Sequence, residues 1–490
     1  MKYKLIGLSV TALTLIGVMA VSFMMPTDNG KRYHQHIESE EKKTCTHTDE
    51  GLCTHLPIIK IDTNGVLIPG EPTLDVPGGH TVQYTMSETG EETILSRLSV
   101  IDNSGKNNHS EDKETVSSDI RIRIRGNSSR HFEKKGYIIK MITPDGLNNP
   151  QSLMGMDSHH EWALHGPYLD KTLIRNYITY NLAGDIMEYS PNVRFCELIL
   201  NDEYQGLYLL TETITAGKEG ARLELSVDKK DNSFSGYLLR LDRGSNTELK
   251  NINNFSNYTY KTDCKINIVY PGNDNLTPEL ASGICEDFSA FEKALYSYDY
   301  DSDEFGYENY IDVNSFIDYF LINEFTSNYD AGSKSTYVYK GIDGKLYMCV
   351  WDFNNAFDNY QENETSYRIF SIQNGLWFDM LFKDEAFVEK VINRYYELEE
   401  KYLNEEYMNS YIDSVIEYLG PAIDRNFKKW GHTFLPEWDR LFDFHRNLHS
   451  YDEAVSQLKE YIKDRHEWMN ENIETLRQYS AESKVKNYNY

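Results

Sequence analysis

The sequence predicts an α+β fold, sheet-rich toward the N-terminus and helical toward the C-terminus. Two patterns carry this. Short runs with period-two alternation, the spacing of a half-buried strand, recur from Leu56 to Asp242. Apolar residues at helical spacing dominate from Asn314 onward. Strands first and helices later segregate into layers instead of alternating along one parallel sheet. With 490 residues, 40% of them hydrophobic and 13% aromatic, the chain can bury a sizeable core.

The elements follow in order. Lys2 and Lys4 precede an uncharged stretch, Leu5 to Met25, long enough to cross a hydrocarbon core of about 30 Å as a helix. The leading lysines orient it with the N-terminus in the cytoplasm and the bulk outside. The expectation is a single-pass anchor over residues 1–25. The alternative is a cleaved signal peptide and a secreted domain, with Ala20-Val21-Ser22 as the cleavage site. Residues 26–56 read as a polar tether. Within it, "CTHTDEGLCTH" places Cys45 near Cys53, which outside the cytoplasm reads as one small disulfide loop. A metal site from Cys45, His47, Cys53 and His55 is the alternative, although its Cys–His spacing is tighter than the usual zinc pattern.

Residues 57–117 form a β-rich segment, with strands at "LPIIKIDTNG", "TVQYTM" and "RLSVID". "DIRIRIRG" alternates Arg and Ile, so one face is buried, and "GYIIKM" is its expected partner. "CELILN" and "GLYLLTE" bracket Asp202-Glu203-Tyr204-Gln205 as a hairpin, and "GYLLRLD" is a further strand. A helix is expected over Asp170–Ile186 with Asp170 as N-cap and Arg175 as a buried charge partner. A second runs from a cap at Asn314 through Phe325. Phe387, Val391, Tyr395 and Leu398 mark another helix, and Ser450 with Glu453 makes a capping box ahead of Val455 and Leu458. Residues 477–490 read as a polar tail.

Lys+Arg total 49 against 77 Asp+Glu, a formal charge of −28. Such a surface repels nucleic acid, so no nucleic-acid partner is expected, and it attracts cationic ones. The signatures GxSxG, HExxH, CxxC, GxxxxGK[ST] and GxGxxG are all missing from the sequence.

The richest chemistry lies in "NYDAGSKSTYVYKGIDGKLYMCVWDFNNAFDN". Ser335–Lys340 and Lys345–Val350 are strand-like, and Gly341-Ile342-Asp343-Gly344 between them carries the Asp-Gly turn signal. A hairpin brings its open ends side by side, so Asp330 and Asp352 arrive at one end. Paired in this way, one aspartate can orient or deprotonate a hydroxyl while the other holds a divalent metal on nucleotide phosphates, as in protein kinases. Asn354 or Asn355 can add an amide oxygen to hard cations such as Mg2+. The plainer reading is a hairpin with polar ends and Asx turns. Upstream, the turn Gly126-Asn127-Ser128-Ser129 can offer backbone N–H groups to phosphate. Arg125, Arg130, Lys134, Lys135 and Lys140 surround it with positive charge, and Glu212 is a candidate to hold the lysine in place.

"IRIRGNSSR…EKKGYIIK", "LDKTLIRNYITYNLAGDI", "YQGLYLLTETI", "NYDAGSKSTYVYK…GKLYMCVWDFNNAFDN" and "FVEKVINRYYELEEKYL…AIDRNFKKW" together resemble the CotH kinase family, the spore coat protein H-like atypical protein kinases. The resemblance covers about Leu56 to Leu476, and residues 118–476 are the CotH kinase-like domain it delimits. It implies a divergent protein-kinase-like two-lobed fold, with a sheet-rich N-lobe and a helical C-lobe behind the membrane anchor. It also implies ATP binding with Mg2+ or Mn2+, and phosphorylation of serines on secreted or coat proteins. Carried across, Asp330 resembles the catalytic aspartate, Asp352 and Asn354 the metal ligands, and Arg125, Asn127, Ser128, Lys135 and Glu212 the nucleotide-binding set. Relatives commonly show Trp-Asp-x-Asp, and Asn354 replaces the second acid here. The implied partner is a protein substrate, basic and Ser-rich. A non-catalytic adhesion or coat scaffold on a degenerate kinase fold is the alternative.

Overall fold

In the computed structural model, residues 32–38, 51–73, 83–217, 221–245, 247–258 and 265–481 are described. The stretch expected as an anchor, Cys45 with His47, and most of the polar tail lie outside them. Contacts divide the chain into Met1–His34 and Gln35–Tyr490, and the elements of the fold belong to the second unit. Among the described residues no helix is long and apolar enough to cross a membrane.

The fold is α+β. Strands β1 (Ile58–Asp62), β2 (Ile94–Ile101), β3 (Val116–Arg125), β4 (Gly136–Ile142) and β5 (Glu161–His165) pair successively. Helix α1 (Arg175–Ile186) follows, then β6 (Val193–Leu200) and β7 (Glu203–Glu212). Strand β7 pairs with β5, and β6 runs parallel to β1, which closes the sheet into a barrel. The Arg/Ile alternation of β3 works as read. Ile120, Ile122 and Ile124 point into the barrel core with Ile139, Trp162, Leu198 and Leu210, while the arginines stay half-exposed. Strands on both sides of residue 117 thus share one core. The β6–β7 turn is Asn201-Asp202 alone, both at positive φ, two residues tighter than the sequence suggested. Gln35 uses its side-chain amide as a strand would, accepting from Phe195 N–H at 2.7 Å and donating to its carbonyl at 3.1 Å.

A second, five-stranded sheet is built from β8 (Leu238–Asp242), β9 (Asn251–Ile252), β10 (Lys265–Tyr270), β11 (Thr336–Lys340) and β12 (Leu346–Cys349), in the order β9-β10-β8-β11-β12. Helices α2 (Pro278–Leu295), α3 (Val313–Phe325), α4 (Glu385–Glu399), α5 (Glu405–Leu419), α6 (Pro421–Trp430) and α7 (Tyr451–Asn472) complete the chain. This sheet shares its core with the helices: Leu239, Val338 and Met348 pack with Phe288, Phe316, Phe320 and Trp377. Sheet and helix are therefore less segregated along the chain than expected.

Local chemistry sets the helix ends. α3 is capped by Asp312, whose carboxylate accepts from Ser315 N–H at 2.8 Å, so the cap lies two residues before the expected Asn314. Ser450 caps α7 by accepting from Glu453 N–H, but Glu453 reaches back to His449 N–H at 2.9 Å and not to Ser450. α1 begins at Arg175, five residues later than read, because Asp170 folds a turn of its own.

Candidate active site

The hairpin forms as expected. Tyr337 faces Cys349 and Lys340 faces Leu346 across β11–β12, and Gly344 closes the turn at φ 86°. Its open end gathers Asp330, which precedes β11, and Asp352, which follows β12. Strand β8 runs antiparallel to β11 with Leu241 opposite Thr336, so its last residue, Asp242, comes to the same end. That third acid was not singled out in the sequence, where an acid closing a strand looks like any turn.

Helix α1 fixes the loop that bears Asp352. Asp352 has φ 66°, a left-handed backbone that a non-glycine residue adopts at a cost of about 1–2 kcal/mol. Its N–H donates to Tyr180 Oη at 2.9 Å, and the next N–H, of Phe353, donates to Asn176 Oδ1 at 2.8 Å. Asn176 and Tyr180 are four apart on α1 and so share one face. Asn176 donates its amide to His165 Nε2 at 3.0 Å, which makes that nitrogen an acceptor and puts any ring N–H on Nδ1. Burial, reinforced by Arg125, pushes the His165 pKa down to about 3, so the ring is neutral. Directly before Asn176, Arg175 Nε donates to Ala356 O at 3.1 Å and Nη1 to Asp170 Oδ1 at 2.6 Å, both side chains being buried. Asp170 also accepts from Arg175 N–H at 2.9 Å. The buried charge expected of Arg175 is thus satisfied by Asp170 while the same guanidinium grips the loop.

The acids feel one another. Burial lifts the Asp352 carboxyl to about 6, Arg125 opposes this, and Asp330 and Asp242 add to the lift. Burial also raises Asp330, against Lys334 and the amide of Asn355. Asn355 Nδ2 donates to Asp330 Oδ2 at 2.8 Å and receives at Oδ1 the amide of Asn354 at 2.9 Å. Asn359 Nδ2 donates to Asn354 O at 2.8 Å. The carboxamides of "DFNNAFDN" therefore tie the loop after Asp352 to the Asp330 carboxylate. Tyr329 and Tyr360 stack at 3.9 Å beside Asp330.

The upstream candidates divide. Arg125, at the end of β3, lies 5.5 Å over the Trp351 ring and faces Asp352 electrostatically. Asn127 accepts from Tyr84 Oη at 3.2 Å, and Ser128 opens a 3-10 turn, Ser128–His131, whose contacts run to the barrel rim. The pair expected between Lys135 and Glu212 does not form. Lys135 bonds Glu71 at 2.7 Å and the carbonyl of Arg130 at 2.6 Å. Glu212 accepts from Asn192 at 3.0 Å and pairs with Arg222 at 3.4 Å. Glu212 ends β7 opposite Trp162, far along the barrel wall from the loop that follows Ser128–His131. Lys134 is buried, donating to Leu207 O and Asn426 Oδ1 at 2.7 Å each, so it ties β7 to α6.

The chain is 22% identical over 364 residues to the inner spore coat protein H of Bacillus subtilis (strain 168), covering 73% of this chain and 88% of that protein. The family model described as CotH kinase protein matches residues 122–469, which include every aspartate and amide of the site. The chain therefore belongs to the CotH kinase protein family.

Proposed function

We propose that the chain is an ATP- and divalent-metal-dependent protein kinase of the CotH type, acting on serine or threonine hydroxyls of secreted, cell-surface or spore-coat proteins. The single observation that supports it most is the convergence of Asp330 and Asp352 at one hairpin end, on a strained loop held by α1. In this reading Asp330 orients the attacking hydroxyl and takes its proton as that oxygen bonds the γ-phosphorus and ADP leaves. Its burial favours this, since a raised pKa makes a better base. Asp352 and Asn354 would hold the metal. Their oxygens suit Mg2+ or Mn2+, and a divalent cation would offset the burial, and the lesser repulsion from Asp330 and Asp242, that lift Asp352 to about 6. Among the described residues no three His, Cys, Asp or Glu are grouped to form an all-protein cage. Mg2+ commonly takes only one or two carboxylates beside substrate phosphates. When bound, the metal neutralises charge building on the transferring phosphoryl group. Arg125, next to Asp352, is the residue of the RGNSS region best placed to meet a phosphate. The N-terminal apolar stretch supports a location outside the cytoplasm, anchored or secreted.

The test is transfer of labelled phosphate from ATP, with Mn2+ or Mg2+, from the full chain to a basic Ser-rich peptide. Transfer is expected, falling at least ~100-fold in Asp330→Ala. Absence of transfer by the wild type overturns the reading. A second reading, a non-catalytic coat or surface scaffold, is favoured by Asn354 standing where relatives carry an acid, with its amide committed to Asn355.

A further inference from the structure

The stacked tyrosines beside Asp330 lie outside the apolar cores of the molecule. Tyr329 and Tyr360 have ring centres 3.9 Å apart and an interplanar angle of 12°, yet neither ring joins an apolar cluster of the fold. Tyr329 is 43% exposed. Aromatic side chains stabilise a fold mainly by burial, so a pair kept at the surface contributes little to it. Its position is nevertheless fixed from two sides. Tyr329 directly precedes Asp330, and its other neighbour, Asn328, is buried and donates to Asn323 Oδ1 on α3 at 3.0 Å. The carbonyl of Tyr360 accepts from Arg446 Nη2, and the next carbonyl, of Gln361, accepts from Phe442 N–H at 3.0 Å. Burial first, then Glu362, Tyr329 and Asp330, push the Tyr360 phenol up to about 12, so it stays a neutral ring within electrostatic reach of Asp330. The free charge around the pair is negative. Tyr360 Oη donates to Glu362 Oε2 at 3.2 Å, and Glu362 and Glu364 are exposed in the same loop with no ion pair among the described residues. The two cations that act on Asp330 are engaged, Lys334 at 3.9 Å from Asp330 and Arg243 at 3.5 Å from Asp242.

We propose that Tyr329, Tyr360 and Glu362 form the subsite that receives an arginine or lysine side chain of the protein substrate, beside the hydroxyl presented to Asp330. The face of an aromatic ring attracts a cation, and a carboxylate at its edge adds to the attraction. A planar guanidinium stacks on a flat ring where an ammonium cannot, so arginine is the preferred occupant. The two rings also belong to the two halves of the site. Tyr329 is joined to Asp330, and Tyr360 lies in the loop that follows Asp352, so a cation seated on the pair fixes the peptide relative to both aspartates. The proposal rests on the kinase reading, in which Asp330 takes the hydroxyl proton, and adds the residues that select the substrate.

Steady-state phosphate transfer by the full chain, with ATP and Mn2+, tests it on two serine peptides that differ only in carrying arginine or its neutral isostere citrulline beside the serine. Salt at ~0.3 M screens the long-range pull of the net charge. The wild type should favour the arginine peptide at least ~5-fold in kcat/KM, chiefly through KM, and Tyr329→Ala and Tyr360→Ala should each cut that preference to below ~2-fold. Tyr329→Phe keeps the ring and should retain the preference. Calorimetric titration of the same peptides without ATP reads the subsite apart from the chemistry. Discrimination in binding that Tyr329→Ala abolishes, with no phosphate transfer by the wild type, overturns the kinase reading and supports the subsite. Transfer without discrimination, a preference that survives both alanine variants, or equal losses on the two peptides overturns the subsite and leaves the kinase reading standing. Neither binding nor transfer overturns both.

Discussion

Asp352 combines two unfavourable features, a left-handed backbone and a carboxyl lifted to about 6. Both follow from where it sits: a buried strand end, close to other acids. The pH consequence has a definite sign. The unfolded carboxyl titrates near 3.8 and the folded one near 6, so between these values the folded state binds more protons. The group therefore stabilises the fold fully below the unfolded pKa and loses that contribution as pH rises through 6. Asp352→Asn keeps the shape and tolerates positive φ, so it removes only the charge. It should raise stability at pH 8 by ~3 kcal/mol and have little effect at pH 3.5. Melting temperatures of the two proteins at both pH values check this, and a gap that grows toward acid contradicts it. Asp358 behaves alike: burial lifts its carboxyl to about 6 as well.

At the scale of elements, α1 is the clamp of the site. Tyr180→Phe deletes the acceptor of the Asp352 N–H without changing volume, and should cost ~1–2 kcal/mol in urea unfolding and lower turnover more than substrate affinity. Arg175→Met strands a buried Asp170 and frees the Ala356 carbonyl, and ~3–5 kcal/mol of destabilisation is expected from denaturant midpoints. How far these elements are legible in the sequence depends on how local their causes are. The hairpin was readable because Asp-Gly and two short alternating runs are contiguous, and this placed Asp330 and Asp352 together. The barrel was not, since its closure pairs Ile58–Ile61 with Glu197–Leu200, segments with no local signal of contact. Asp242 escaped for the same reason, as it joins the site only through the β8–β11 register. The clamp itself was half visible: Arg175 stood out as a charge, but Asn176 and Tyr180 act through backbone N–H groups that no motif advertises. The expected pair of Lys135 with Glu212 was not legible either way, because pairing across a barrel depends on which wall each residue ends on.

Across the whole molecule, buried ion pairs knit distant parts of the chain to the site. Arg465 on α7 donates to Glu324 Oε2 at 3.0 Å and to the carbonyls of Tyr367 and Ile369, and Glu324 accepts from the N–H groups of Ser371 and Ile372. Thus α7 fixes α3, which leads into Asp330, and the segment downstream of Asp352. Arg465→Met should destabilise by ~3–5 kcal/mol, and the double variant with Glu324→Gln by clearly less, because only the single change leaves a charge alone. At the same scale, a net charge of −28 would favour the basic substrate proposed above, so capture of such a peptide should weaken as salt rises.

The most direct test of the account is calorimetric binding of ATP in the presence of Mn2+ to the wild type, Asp330→Asn and Asp352→Ala. The wild type should bind only with the metal present, Asp330→Asn should bind about as well, and Asp352→Ala should lose at least ~10-fold in affinity. Metal-independent binding, or equal binding by wild type and Asp352→Ala, would contradict the assignment of the two aspartates.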